Sequence, residues 1–445
     1  MLIRATFRNV LSFRDEVEIS FVAGKGSTLS DQVCRAEKRD DISVLKAGII
    51  YGANASGKSN VIHCINALRE FALGISPGRH LEAFKLRPQC GETSKIEVEF
   101  KAREGYYAYG IEFGSAGIAE EWLYEIGSRS ETVVFERKVT AEGNSISHPH
   151  AKGKAEGLQL LKFIGLSTPT DHSFLSEYVK RNGVGLDCIR DAREWFASTL
   201  HIIFPTTRYR SIAFESEKDE AFKTATRELL QLFGTGITDV RRVRIAKEET
   251  GVSGEMLERI VREGRRGSTC ILNDPVNRMV MYVDIDENGL PTFYKQIAIH
   301  QGDGGEVAFE MYEESDGSLR LLDFIPMLID LRLNGAVYLI DEIDRSMHPM
   351  LSQEILRFYA DHILARGEGY APHDTQLIFT THESNLLDLS LIRADEVWFV
   401  EKGDDGASHL TSLSEYKPRE DVRKGYLQGR YGAIPFFATV KKLNW

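Results

Sequence analysis

The sequence predicts an α/β fold whose head is built from the two ends of the chain. An antiparallel β subdomain lies in the first part and a largely helical insertion between the ends. Three observations predict it. Residues 44–50 (VLKAGII) are a continuous apolar run, the mark of a strand buried on both faces. They lead through a glycine loop into SNVIHCINALREFAL, where Val61, Ile65, Leu68, Phe71 and Ala72 recur at helical spacing. Residues 95–138 break into short β-type runs (KIEVEFKA, YYAYGIEF, IAEEWLYEI, TVVFERK) separated by Gly and Ser. From about 305 to 400, strands and helices alternate again.

In chain order, IRATFRNV and DEVEISF read as two strands with a turn at Ser12–Arg14. The buried strand, the loop and the helix follow. After the antiparallel runs, residues 150–265 turn helical and more charged (GLQLLKFIG, RDAREWFASTLHII, KDEAFKTATRELLQLF, EMLERIVREG), with no sustained heptads. Residues 278–298 return to strands with a turn at Asp286–Gly289. Then come EVAFEMYEE, the helix SLRLLDFIPMLIDLRL, the strand AVYLIDE, the helix SQEILRFYADHIL and the strands TQLIFTTHE and DEVWFVEK. Pro326 falls inside the first of these helices, where it either kinks the helix or bounds it. This divides the chain into residues 1–140, an N-terminal lobe with the glycine loop and the antiparallel subdomain; 141–265, the insertion; and 266–445, a C-terminal lobe.

Composition narrows the class. With 42% hydrophobic and 27% charged residues the chain has ample core material, and 445 residues suggest two or three domains. No segment approaches a membrane span, and the alternating N-terminus with Arg4 and Arg8 reads as a strand rather than a signal. Five cysteines (Cys34, Cys64, Cys90, Cys188, Cys270) without CxxC spacing fit a reducing, cytoplasmic setting and no zinc site. A net charge of −11 is a poor bulk match to a phosphate backbone. Two local clusters, Arg241, Arg242 and Arg244, and Arg262, Arg265 and Arg266, could receive nucleic acid, an acidic trigger protein or an effector subunit. Both read more simply as solvated faces.

Gly52, Ala53, Asn54, Ala55, Ser56, Gly57, Lys58 and Ser59 match GxxxxGK[ST], followed by Asn60. Glycines let such a loop wrap its N–H groups around phosphate oxygens, and the next helix adds its positive N-terminal end. The lysine reaches the β- and γ-phosphates and the serine ligates Mg²⁺, so the pattern calls for ATP and Mg²⁺. A metal–phosphate site needs a carboxylate too, and the apolar strand before Asp341 and Glu342 supplies it. Asp341 joins Ser59 at the metal, and Glu342 faces the attacking water as general base or orienter. His382, at the end of TQLIFTT, is a candidate contact to the γ-phosphate. Ser315, Gly317 and Ser318 open a helix and form a second anion site. One γ-phosphate is already held by the loop, so the economical arrangement is a two-fold dimer in which these residues touch nucleotide bound by the other subunit.

The order of P-loop, Ser-x-Gly, Asp-Glu and His resembles an ABC-type ATPase head, of the kind found in the RecF, Rad50 and structural-maintenance families. Against the usual Leu-Ser-Gly-Gly-Gln, Glu314 replaces Leu, Asp316 replaces Gly and Ser318 replaces Gln. Through FRNVLSFRDE, GANASGKSN, EESDGSLRLLD, IDEIDRSMHP, FTTHESNLLD and YLQGRYGAIPF the chain is similar to AAA15-type ATPases of bacterial anti-phage defence. Among these it looks most like the ATPase subunits of PARIS systems, with retron-associated and Septu ATPases as close alternatives. The resemblance covers both ends of the chain and is weak over residues 140–265. It implies an ATP-dependent sensor or scaffold in abortive infection, a toxin–antitoxin-like arrangement. Its partners would be a second copy of itself or a larger assembly, a Toprim-like (AriB-type) effector nuclease and a phage-encoded trigger. It also implies that Asp344 and His348 sit near the dimer seam and that Arg4 approaches the adenine. A Q-loop glutamine is not placed; Gln89 lies in the right region. The rival readings are a RecF/Rad50-like repair ATPase that binds DNA directly and an ATP-binding scaffold with negligible turnover.

Overall fold

The apolar run before the glycine loop becomes the strand Ala47–Gly52, every residue of it buried. It lies between Gln376–Thr381 and Val397–Lys402, parallel to both. Beyond Gln376–Thr381 the sheet continues in parallel through Val337–Ile340 to Leu200–Ile203, and Ser408–Ser412 closes the other edge antiparallel. A strand that follows the acid pair's strand in sequence thus lies between it and the P-loop strand, so the ends of all three open at one edge of the sheet. We describe a computed structural model covering all residues except Ser27, Glu37, 76–80, 87–91, 150–154, 184–185, Arg210, 275–278, 366–373, 419–420 and 435–445.

A second, seven-stranded antiparallel sheet runs Gly143–Ser147, Glu131–Thr140, Gly117–Ile126, Gly105–Gly114, Ser94–Ala102, Leu2–Arg8, Val17–Ser20. Its strands alternate as a one-sided sheet must: Ala5 and Phe7 point to the core, while Arg4, Thr6 and Arg8 point out. The helix Lys58–Leu73 carries Val61, Ile62, Ile65 and Leu68 into one apolar cluster with Ala5, Phe7, Val98 and Phe100 of this sheet and Ile50, Leu339 and Ile378 of the parallel sheet. Full burial of each such side chain is worth roughly 1.5–3 kcal/mol, so the P-loop helix is anchored along its length. Gly74 ends it in the left-handed conformation, φ 74°.

Two compact units divide the chain. The first comprises Met1–Pro205, Asn334–Asp344 and the described part of Ile355–Trp445; the second comprises Thr206–Leu333 and Arg345–Glu354. The boundaries expected after residues 140 and 265 therefore move. Residues 141–265 hold the helices Ala155–Ser167, Phe174–Lys180, Asp187–Glu194, Ile212–Lys218, Glu220–Leu232 and Gly254–Glu263. Strand pairing nevertheless splits them. Gly143–Ser147 extends the antiparallel sheet, and Leu200–Ile203 joins the parallel one, whereas Ile237–Ile245 pairs with Pro291–Gly302. The stretch RDAREWFASTLHII is not one helix. Asp187–Glu194 passes through a π-helical turn, Trp195–Thr199, into the strand Leu200–Ile203, because burial against Val337–Ile340 overrides the local helical pattern.

The second unit is a five-stranded antiparallel sheet with helices. Pro291–Gly302 runs between Ile237–Ile245 on one side and Met279–Ile285 followed by Gly305–Glu310 on the other, and Ser268–Asp274 is the outer strand. The helix Asp316–Leu333 continues through Pro326 without ending there. Among the described residues no helix is long and apolar enough to cross a membrane.

Candidate functional site

The glycine loop is shaped by contacts that exclude side chains. A Cβ on Gly52 would lie 2.4 Å from Ser56 Oγ and 2.6 Å from Val400 O. Ala55 and Gly57 turn the chain through left-handed conformations, φ 62° and 109°. A Cβ on Gly57 would meet Ser408 Oγ at 2.3 Å and Ser12 Oγ at 2.6 Å. Ser408 Oγ donates to Ser56 O at 2.5 Å, and Asn60 Nδ2 donates to Ser12 Oγ at 2.7 Å. These two buried serines brace the loop from behind. Its tip, Asn54 and Ala55, is exposed. The helix opens at Lys58 with no side chain capping its first turn, which leaves the positive end of its dipole to an outside anion.

Lys58 is buried, 7% exposed. Its Nζ donates to Gly52 O at 2.7 Å and Ala53 O at 3.0 Å. Burial pushes its pKa below the usual lysine value, while Glu342, Asp341 and Asp344 pull it back up. Among the described residues the hydrogen bonds of this cation go to carbonyls, beside three carboxylates, which sets it to meet a stronger anion.

The acid pair enters from the neighbouring strand. Asp341 Oδ1 accepts from Ser59 Oγ at 2.9 Å and from Thr380 Oγ1 at 2.7 Å. The Glu342 N–H donates to the same Thr380 hydroxyl at 2.8 Å, with Glu342 at φ 53°. The Asp341 and Ile343 N–H groups bond Ile203 O and Thr380 O. The positive φ turns Glu342 out of the strand direction, and Thr380 fixes both acids at once. Ser59 and Asp341 bring two hard oxygen donors together, the ligand chemistry of Mg²⁺, which takes its remaining positions from water and phosphate. Among the described residues no group of three or more His, Cys, Asp or Glu gathers around a metal position.

His382 stands in the same unit with Nε2 3.4 Å from Asp344 Oδ2; its side chain is 43% exposed and that of Asp344 is 12% exposed. Asp344 Oδ1 is buried without a hydrogen-bond partner among the described residues. The first unit therefore assembles Gly52–Asn60, Asp341, Glu342 and His382. Sequence reasoning missed Thr380, Ser12 and Ser408 as parts of the site; a hydroxyl residue just before His382 was the only local signal.

The signature residues belong to the second unit. Ser315 Oγ accepts from the Ser318 N–H at 3.0 Å and lies 2.9 Å from Ser318 Oγ, so it caps the helix Asp316–Leu333. A Cβ on Gly317 would come 3.1 Å from Ser346 O. His348 accepts from the Met350 N–H at Nδ1, 3.3 Å, and opens the helix Pro349–Phe358.

Three further residues or clusters singled out in the sequence are Arg4, the arginines at 241–244 and Gln89. Arg4 pairs with Glu99 at 2.5 Å on the outer face of the antiparallel sheet. There it lines a basin of about 430 Å³ with Glu18, Arg39, Glu97 and Arg129, and no P-loop residue lines that basin. Arg241 is held by Asp239 and Glu306, and Arg242 by Glu217 and Asp284, over the rings of Tyr282 and Tyr294. Gln89 lies outside the described residues.

No curated protein matches the chain. Among solved structures, the SMC head domain from Thermotoga maritima is similar at 13% identity, over 92% of this chain and 98% of that one, with a TM-score of 0.39. The family described as "AAA domain, putative AbiEii toxin, Type IV TA system" matches residues 49–388, from the P-loop strand to beyond His382. That match takes in well over half of the sequence and the whole of the first unit's site, and the chain belongs to this family of AAA ATPase domains.

Proposed function

We propose that the chain is an ABC-type ATPase that binds and hydrolyses ATP in a composite dimer and thereby controls a partner effector in anti-phage defence. The observation that carries this reading is the meeting of Ser59 and Asp341 at 2.9 Å, beside Lys58 and the uncapped helix end. Ser59 and Asp341 would hold Mg²⁺, which when bound neutralises phosphate charge. Lys58 leaves the carbonyls of Gly52 and Ala53 for the β- and γ-phosphates. The backbone from Gly52 to Asn60 encloses the phosphates, Glu342 takes a proton from the attacking water, and His382 leaves Asp344 for the γ-phosphate. Ser315, Gly317 and Ser318 act on nucleotide bound by a second copy, as a helix N-terminus acts on an anion.

The toxin–antitoxin wording of the family description supports a two-component role. We place the chain with AriA-type subunits of PARIS systems: a cytoplasmic homo-oligomer that holds a Toprim-like nuclease of AriB type until a phage-encoded trigger arrives. The engagement of Arg241 and Arg242 by carboxylates weighs against the RecF/Rad50-like alternative, in which such a cluster would meet DNA. The test is to co-purify the chain with the product of the neighbouring reading frame and to challenge cells carrying both genes with phage. The expected result is a complex that hydrolyses ATP and restricts plaques, with restriction lost in Lys58→Ala. Equal plating with and without the gene pair would end the defence reading, and salt-dependent duplex binding without a protein partner would favour the repair ATPase.

A further inference from the structure

We infer that His300 and Glu314 form a positioning pair through which the five-stranded sheet of the second unit sets the signature serine. This rests on the reading that Ser315 acts on ATP. Glu314 stands where the usual signature has leucine, and its carboxylate is not a solvated substitute. Its side chain is 6% exposed, and its Oε1 lies 2.6 Å from His300 Nε2. An ionised carboxylate only accepts, so Nε2 donates. The imidazole also packs on an aromatic ring: its centroid lies 4.5 Å from that of Phe309.

The pair is the last of three ties from one strand. Along Pro291–Gly302, Lys295 pairs with Glu310, Gln296 Nε2 reaches Met311 Sδ at 3.8 Å, and His300 holds Glu314. Gln296 is itself fixed by Tyr282 OH at 2.7 Å. These partners lie in order along the segment that leads from the strand Gly305–Glu310 through the turn Met311–Glu313 to Ser315. The segment is thus laced to the sheet up to the residue before the catalytic hydroxyl, and the Ser315 cap carries the constraint into Asp316–Leu333. A leucine could fill the space but could not fix direction. A buried charge-assisted hydrogen bond can, and it makes any shift of the strand Pro291–Gly302 felt at Ser315.

The test compares full-length His300→Ala, His300→Gln, Glu314→Leu, Glu314→Gln and the double variant His300→Ala/Glu314→Leu. Readouts are kcat, KM, ATP affinity by titration and thermal melting. His300→Ala and Glu314→Leu should each lose on the order of 10-fold in kcat, the factor a hydrogen bond to a charged group commands, with ATP affinity unchanged because Lys58 lies in the other unit. The double variant should fall no further than the worse single variant, and the two glutamine variants should recover part of the loss. A kcat within twofold of wild type for folded Glu314→Leu overturns the pair, as do losses that multiply in the double variant. Ser315→Ala separates the layers. If it abolishes turnover while the pair variants do not, only this inference falls; if it leaves turnover intact, the trans-signature reading falls with it.

Discussion

Thr380 Oγ1 donates to Asp341 Oδ1 at 2.7 Å and accepts from the Glu342 N–H at 2.8 Å, so one hydroxyl sets both members of the acid pair. Thr380→Val keeps the shape and removes these bonds. Steady-state ATP hydrolysis should fall on the order of 10-fold or more in kcat, since a hydrogen bond to a charged group is worth about 1.5–3 kcal/mol. An unchanged kcat would mean that the acids are fixed by the strand alone.

Lys58→Ala removes the cation poised at the loop. Two charge-assisted contacts of at least about 1.5 kcal/mol each imply a loss of ATP affinity on the order of 100-fold. Calorimetric titration reads this directly, and wild-type affinity would contradict the P-loop assignment.

Glu342→Gln retains a polar side chain at the left-handed position but removes the base. Hydrolysis should drop on the order of 10²–10⁴-fold while ATP binding persists, and ATP-dependent dimers should live longer in size-exclusion chromatography. Rapid turnover in this variant would assign the base elsewhere.

Glu396 offers a pH test outside the chemistry. It is fully buried at the start of Val397–Lys402, its Oε2 accepts from the Arg393 N–H at 2.8 Å, and burial pushes its pKa up to about 8. The ordinary value is 4.5, so the folded state binds the proton more tightly than the unfolded chain. Stability from this group is complete below the unfolded value and is lost progressively as pH rises through the folded one. Glu396→Gln should therefore match wild type in acid and exceed it near pH 9, by roughly 2 °C or more in Tm. Parallel melting curves from pH 6 to 9 would refute this.

The trans arrangement is tested by complementation. Subunits with Ser315→Arg keep their own Lys58 and Asp341, and subunits with Lys58→Ala keep their own Ser315. Each parent should be inactive. Random co-assembly restores one complete site in half of the dimers, roughly a quarter of wild-type sites. Because Ser315 also caps its helix, the parent needs a melting curve to show that it is folded. Purified mixed dimers without activity would leave an ordinary P-loop enzyme acting in cis.

The sequence made the P-loop, the acid pair and His382 legible because each carries a local mark: a glycine spacing, or a polar residue ending a buried apolar run. Ser12 and Ser408 carried no such mark, and Thr380 carried it without showing what it would bond. Their roles arise from contacts between segments far apart in the chain, as where Ser408 reaches Ser56. Leu200–Ile203 was hidden for a related reason, since its strand character comes from the neighbour it pairs with. Alternation along Leu2–Arg8 marked a strand, but could not say that Glu99 would engage Arg4. Glu314 is legible in sequence only as a replacement of the usual Leu, because its partner His300 lies 14 residues away on another element.

The placement of Ala47–Gly52 between Gln376–Thr381 and Val397–Lys402 has a consequence for synthesis. At ribosomal rates of about 5–20 residues per second, the loop strand emerges tens of seconds before either neighbour exists. The antiparallel sheet draws its strands from residues 2–147 and can close by nearby pairings in that interval. The nascent chain therefore passes through a stage with one sheet built and its apolar loop strand unpaired on both edges, the kind of edge that chaperones must shield. A chain released before residue 376 carries the glycine loop strand with neither of its sheet neighbours. Truncation products should thus be silent, unable to compete for nucleotide with full-length copies.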